Sequence, residues 1–292
     1  MLSSVDCWFH TKSANNNSLF PIPHSLFPTP HFCYPSKMSA VYLSVKNILK
    51  PQVLTAEKDF LIVYKPPRMH SAPLARSPSD NLLGWCTRKF PEIAELPGRR
   101  AGEGGLLHRL DFETQGLLLM ARTQRTMDAL IEQQMEGDIV KEYCALASAG
   151  KTLLPGFPLE KPAHNDPAPF SVKSAFRAFG YGRKAVRPVM TDEAHRDIVL
   201  DGGNPYITEI IETRPLPHGV TFLRLKIYRG FRHQIRCHLA WMGLPILNDD
   251  LYGGLSFGKG LLALRANSIS LIVPSSGIRR TYSIPPLALD DI

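Results

Sequence analysis

Apolar positions along the chain fall into short runs separated by polar stretches rich in proline and glycine, and the spacing within each run predicts its element. The segment Asp59-Phe60-Leu61-Ile62-Val63-Tyr64-Lys65 predicts a buried strand, stopped by Pro66-Pro67. A second apolar strand, Leu117 to Ala121, follows a polar loop that contains Asp111. Thr123 then caps a helix whose apolar residues Met127, Leu130, Ile131 and Met135 recur at helical spacing, and Gly137 ends it. Further strands are expected at Val140 to Ala147, Ser171 to Phe179, Tyr206 to Thr213 and Thr221 to Tyr228. The last alternates cleanly: Leu223, Leu225 and Ile227 face one way, Arg224 and Lys226 the other.

Arg232 to Met242 reads as a helix with Ile235, Leu239 and Met242 on its core face, ended by Gly243 and Pro245. Two strands close the chain, Leu261 to Ile272 and Tyr282 to Ile284. Arg68 to Gly105 is expected at the surface with a short helix around Asn81 to Lys89, while Lys151 to Pro169 and Tyr181 to Pro205 carry loop residues. Runs of strands with few helices between them predict an α+β domain: a mixed, mostly antiparallel sheet with flanking helices, over residues 38–292. Residues 1–37 lack periodicity. With Asn15 to Asn17 in a row and Pro21, Pro23, Pro28 and Pro30, they are expected to be a disordered leader, and Met38 is an alternative start.

Composition narrows the function classes. A chain of 292 residues with 44% apolar content can bury a full core. The formal charge of +8 favours a polyanionic partner such as RNA, although a merely basic soluble protein has the same balance. No apolar run reaches the ~20 residues that span a bilayer, so no membrane partner is expected. Cys7, Cys33, Cys86, Cys144 and Cys237 form no CxxC pair and no regular framework, which fits a reducing, cytoplasmic location. His233, Cys237 and His238 are neighbours without distant further ligands, so no metal site is expected. The default oligomeric state is a monomer.

Two stretches carry chemistry. Gly105-Leu106-Leu107-His108-Arg109-Leu110-Asp111-Phe112-Glu113-Thr114-Gln115-Gly116 sets His, Arg, Asp and Thr on a turn beside a buried strand, a rigid base for polar groups. A capped turn, with Asp111 and Thr114 satisfying local backbone groups, is the structural alternative. Arg229-Gly230-Phe231-Arg232-His233-Gln234-Ile235-Arg236 lies where a strand ends and a helix begins, which suits an anion or a solvated basic face. Arg236 stands at the edge of the apolar stripe, and a half-buried arginine needs a carboxylate partner.

His108-Arg109-Leu110-Asp111 with Thr114 and Gly116 resembles the catalytic motif of RluA-type RNA pseudouridine synthases. Lys141-Glu142-Tyr143 resembles that family's Lys-x-Tyr element, Val63 with Lys65-Pro66 its opening strand, and Gly230, His233-Gln234-Ile235-Arg236 and Asp250-Leu251-Tyr252-Gly253 its later signature. The resemblance implies that Asp111 is the catalytic carboxylate, Arg236 its partner, and Tyr143 an aromatic platform or proton carrier. It further implies uridine isomerisation without a cofactor, in ribosomal or transfer RNA. Arg109, His108, Arg183, Lys184, Arg232 and His233 are the expected RNA contacts, with Arg187 and the nearby aromatics Phe176, Phe179 and Tyr181 supporting an RNA-facing loop.

This chain departs from the family pattern at Gln115, where serine is usual, at Phe231-Arg232, where Arg-Thr is usual, and at Arg265, where histidine is common. These positions are expected to lie on loops and RNA-facing surface. No N-terminal S4 RNA-binding domain is recognisable. The competing readings are an inactive RNA-binding protein of the same fold and a glycosidase, the latter requiring a second carboxylate for which Glu113 is the nearest candidate.

Overall fold

A computed structural model of the protein describes residues 39–74, 80–150, 152–160, 162, 168–190 and 199–292. The expected leader, residues 1–37, and Met38 lie outside the described residues, as do parts of both expected loops. All described residues belong to one unit, Lys37–Ile292. Its elements begin with β1 (Ser39–Tyr42), β2 (Gln52–Ala56), β3 (Phe60–Lys65), α1 (Leu82–Thr87) and α2 (Glu92–Glu95). Next come β4 (Gln115–Ala121), α3 (Gln124–Glu136), β5 (Val140–Ser148), β6 (Phe170–Phe179) and β7 (Ala185–Val189). The chain finishes with β8 (Tyr206–Leu216), β9 (Val220–Ile227), α4 (Gln234–Trp241), β10 (Leu264–Ile272) and β11 (Arg279–Ser283).

The strands form one mixed sheet ordered β2-β3-β4-β10-β5-β9-β8-β6-β7, with β11 joining β10 and β1 joining β11. Only the β4–β10 and β1–β11 pairs are parallel among the described residues; the others are antiparallel, as the sequence predicts. The unbroken apolar runs of β3 and β4 follow from burial on two faces. Leu61, Val63, Leu118 and Met120 join the larger core with α1, α2 and α4, whereas Phe60, Ile62, Leu117 and Leu119 join a second core with Met127 and Leu130 of α3. Each such side chain contributes about 1.5–3 kcal/mol when removed from water, so both layers hold the strand pair from which the Asp111 loop emerges.

Thr123 caps α3 through its side chain and Gly137 ends it in the left-handed region, as expected. Several boundaries differ from the sequence reading. The segment expected as a loop from Tyr181 contains β7, whose five positions are all buried. Strands β1 and β2 and helix α2 were not expected; all three are short, and β1 and β2 are mostly half-buried or exposed. Helix α4 starts at Gln234 rather than Arg232 because His233, with φ of 57°, turns the chain into it.

Candidate active site

The Asp111 loop is pinned on both sides of its carboxylate. Ser71 Oγ donates to Leu110 O at 2.9 Å and accepts from Leu110 N–H at 3.0 Å. On the other side, Lys65 Nζ, fully buried, donates to Phe112 O, Met69 O and Pro66 O at 3.1, 2.7 and 2.9 Å. Burial pulls the Lys65 pKa down to about 7, with Asp111 and Glu113 pulling it back up; three acceptors match the three protons of the charged ammonium. Thr114 N–H closes the turn onto Asp111 O at 3.1 Å, so the turn is capped through the backbone and the Asp111 side chain is left free for the cleft. Gly116 follows with φ of +127°, where a Cβ would meet Ala266 O of β10 at 2.3 Å; only glycine admits that approach.

Arg236, 7% exposed at its side chain, faces this loop from α4. Its Nη1 lies 3.5 Å from Asp111 Oδ2. Its main partner is another residue: Nε and Nη2 donate to Asp249 Oδ2 and Oδ1, both at 2.7 Å, and the Asp249 side chain is fully buried. The expected Asp111–Arg236 contact is therefore present as the weaker side of a triad. Burial alone would pull the Arg236 pKa down, but hydrogen bonds and charge from Asp249, with Asp111 adding, push it above its ordinary value. The guanidinium is a fixed cation, clamped in a planar fork.

His233 Nε2 lies 3.9 Å from Asp111 Oδ1, and Nδ1 is 3.2 Å from Tyr252 OH. Burial lowers the His233 pKa, although Asp111 opposes the shift. The structure places this expected RNA contact in the cleft lining, beside Asp111. Tyr143 sits on β5, 6% exposed, and lines the same cleft. Burial, and then the charge of Asp111, raise its phenol pKa, so the phenol stays protonated.

Arg109 is half exposed on the cleft rim, with Nη1 3.2 Å from Glu103. His108 turns inward, its Nε2 accepting from Leu119 N–H at 3.3 Å. Burial and the nearby charges of Lys141 and Arg99 push its pKa well down, and its ring lines the cleft while it holds the β4 backbone. Arg183 and Lys184 are exposed beside Arg232, which donates to Arg183 O at 2.8 Å, so these three do gather on one rim. Arg187 does not join them. It is 4% exposed and packs its guanidinium over Phe157 and Phe179 at 4.4 and 4.3 Å, and Phe176 is buried in the core. Glu113 pairs with Arg68 at 3.6 Å on the surface. It does not bracket a substrate with Asp111, which removes the two-carboxylate arrangement of a glycosidase.

Asp111, Tyr143, His233, Arg236, Arg109 and Arg232 line a cleft of about 1040 Å³. That is at the upper end of the roughly 300–1,000 Å³ of small-ligand pockets, so it has room for a nucleotide and its flanking backbone. A carboxylate on a pinned loop, a clamped arginine and a buried aromatic thus face one basic-rimmed cavity. The model of the RNA pseudouridylate synthase family matches residues 59–241. The chain belongs to that family. Ribosomal large subunit pseudouridine synthase D of Haemophilus ducreyi is 28% identical over 202 residues, 69% of this chain and 52% of that protein. Its namesake in Escherichia coli (strain K12) is 27% identical over 247 residues, 80% of this chain and 66% of that protein. The chain thus spans between half and two thirds of the length of these relatives. Human RNA pseudouridylate synthase domain containing 1 has the same fold, with a TM-score of 0.53 at 21% identity, covering 80% of this chain and 83% of its own.

Within the pseudouridylate synthase family pattern, the departures at Gln115 and Arg265 prove to be partners. Both are buried, at 0% and 4% exposure, on adjacent strands, and Arg265 Nη2 donates to Gln115 Oε1 at 3.1 Å. Tyr64 OH also donates to Gln115 Oε1, at 2.7 Å, and Arg265 Nη2 reaches Asp291 at 3.1 Å. Neither residue faces RNA, contrary to expectation; together they tie β4 and β10 to the C-terminal turn. Phe231 stacks on Phe176 with centroids 4.9 Å apart, so its departure extends the core to the edge of the cleft.

Proposed function

We propose that this protein isomerises uridine to pseudouridine in RNA, with Asp111 as the reacting carboxylate. The observation that carries the reading is the placement of Asp111: its loop is held by Ser71 and Lys65, and its carboxylate faces the cleft beside an arginine already locked on Asp249. The target base leaves its stack and enters the cleft, at a cost of a few kcal/mol. The bond from ribose C1′ to uracil N1 then breaks, the base turns, C1′ bonds to C5, the C5 proton departs and N1 gains a proton. No external cofactor is consumed. Asp111 starts this either by attacking C1′ or by taking a ribose proton. Arg236, 3.5 Å away, orients the carboxylate and supplies a fixed positive charge while charge develops.

Tyr143 lies against the base as a rigid face. Its raised pKa weighs against a phenolate base and in favour of stacking. His233, neutral between Tyr252 and Asp111, orients the carboxylate from its other side. The exposed Arg109, Arg183, Lys184 and Arg232 meet phosphates at the rim.

The matched relatives are named for the large ribosomal subunit, and ribosomal RNA is therefore the first substrate we propose, ahead of transfer RNA. The described cysteines Cys86, Cys144 and Cys237 are free and buried, which accords with a cytoplasmic location. A monomer acting on a single RNA strand is the simplest assembly. Pseudouridine mapping in total RNA from cells with and without the gene tests the reading: one or more ribosomal sites should vanish with the gene and return with the wild-type chain. An unchanged map would leave an RNA-binding protein without this activity.

A further inference from the structure

The cleft is lined by cations that the proposed chemistry does not use. Lys141 lies on β5 two residues before Tyr143, so the two side chains leave the same face of the strand, and both line the cleft. Lys141 is only 2% exposed. Among the described residues its ammonium has no hydrogen bond and no ion pair, in contrast to Lys65 with its three carbonyls. Arg99, Arg100, Gln134 and Met135 line the same cleft. Arg99 Nη1 donates to Gln134 Oε1 at 2.9 Å, which ties its loop to α3.

Among the described residues no carboxylate pairs with Lys141: of the acids that line the cleft, Glu103 pairs with Arg109, Asp201 with Arg229 and Asp111 with Arg236. The charge that acts on Lys141 is that of Arg99, and it works with burial to lower the lysine pKa to about 8. A buried cation beside a second cation is unfavourable unless a ligand supplies the anion. Of the chemistries available to a cleft that takes RNA, a phosphate oxyanion fits best: lysine meets it as a point charge and arginine as a planar fork.

We propose that Lys141 and Arg99 form a phosphate subsite, which holds one backbone phosphate of the RNA strand next to the flipped uridine. This deepens the reading of the cleft given above and rests on it for the identity of the polyanion. The subsite anchors the strand on the α3 side of the cleft, through the loop that Arg99 ties to Gln134.

The test is binding of a single-stranded oligouridylate, measured by fluorescence anisotropy over a range of KCl concentrations, for the full chain and three variants. Lys141→Met preserves length and removes the charge, so its melting temperature should equal or exceed that of the wild type while its affinity falls and its log–log salt slope flattens by about 0.7. Arg99→Gln, at an exposed position, should flatten the slope by a similar amount, and the double variant should lose no more than either single one, because both cations serve one phosphate. Inorganic phosphate should raise the melting temperature of the wild type more than that of Lys141→Met. If Lys141→Met fails to fold, the slope of Arg99→Gln decides. Unchanged slopes, or losses that add in the double variant, would overturn the shared subsite. Since binding is the readout, a wild type that forms no pseudouridine would defeat the isomerase reading without deciding this one.

Discussion

At the Asp111 end of the cleft the protein answers its own charges, whereas at the Lys141 end it leaves them open. Arg236 is bracketed by Asp249 at 2.7 Å and Asp111 at 3.5 Å, with His233 on the far side of the Asp111 carboxylate. Lys141, just as deeply buried, shares the cleft lining with Arg99, whose charge acts on it, and pairs with no acid among the described residues. The difference follows from what each end must do. A reacting carboxylate gains from dipoles and charges fixed before the substrate arrives. A site that takes hold of a polyanion gains from a deficit that the polyanion fills.

The comparison breaks most visibly at Arg236. Arg236→Ala would leave the fully buried Asp249 without a partner, and a loss of about 3–5 kcal/mol in unfolding free energy is expected. Asp249→Ala in the same chain should restore part of it, since the two residues form one unit. Denaturant titration of the single and double variants measures both effects, and a single-variant loss below ~1 kcal/mol would mean that the clamp is slack.

Tyr143 sharpens the comparison at the level of rate. If its neutral phenol contributes a stacking face, Tyr143→Phe should turn over within about tenfold of the wild type. General acid–base roles are worth roughly 100- to 10,000-fold, so a drop of that size, with an intermediate accumulating, would return the phenol to proton transfer. The smallest effects belong to the exposed rim. Replacing Arg183, Lys184 or Arg232 singly should weaken RNA binding modestly and across sequences, with the salt slope reduced by about 0.7–0.9 per contact. Three unchanged slopes would remove that rim from the RNA path.

Much of this arrangement is legible in the sequence because its parts are local. The Asp111 loop, the β4 and β5 strands and the α3 caps each declare themselves within a dozen residues, and Arg236 is readable as a half-buried cation from its place on the helical stripe. Asp249 was missed because its pairing with Arg236 depends on how the chain returns after α4, through Asn248 with φ of 63°. The resemblance drew attention to Asp250, which is exposed, one position too late. Strand β7 was hidden by the glycine and basic residues before it and by Arg187, a charge that β7 buries against aromatic rings. Gln115 and Arg265 illustrate the same limit: 150 positions apart, they could be read one at a time only as surface substitutions, yet they form one buried contact.

The central claim is that Asp111 performs the chemistry and that its surroundings only hold and tune it. Asp111→Asn is nearly isosteric and leaves the Arg236–Asp249 clamp in place, so folding and RNA affinity should stay close to those of the wild type. The direct measurement is tritium release from RNA carrying 5-tritiated uridine, followed with enzyme in excess over RNA. The account predicts steady release by the wild type and none by a folded, RNA-binding Asp111→Asn variant. Release by that variant at a rate near the wild type would contradict it.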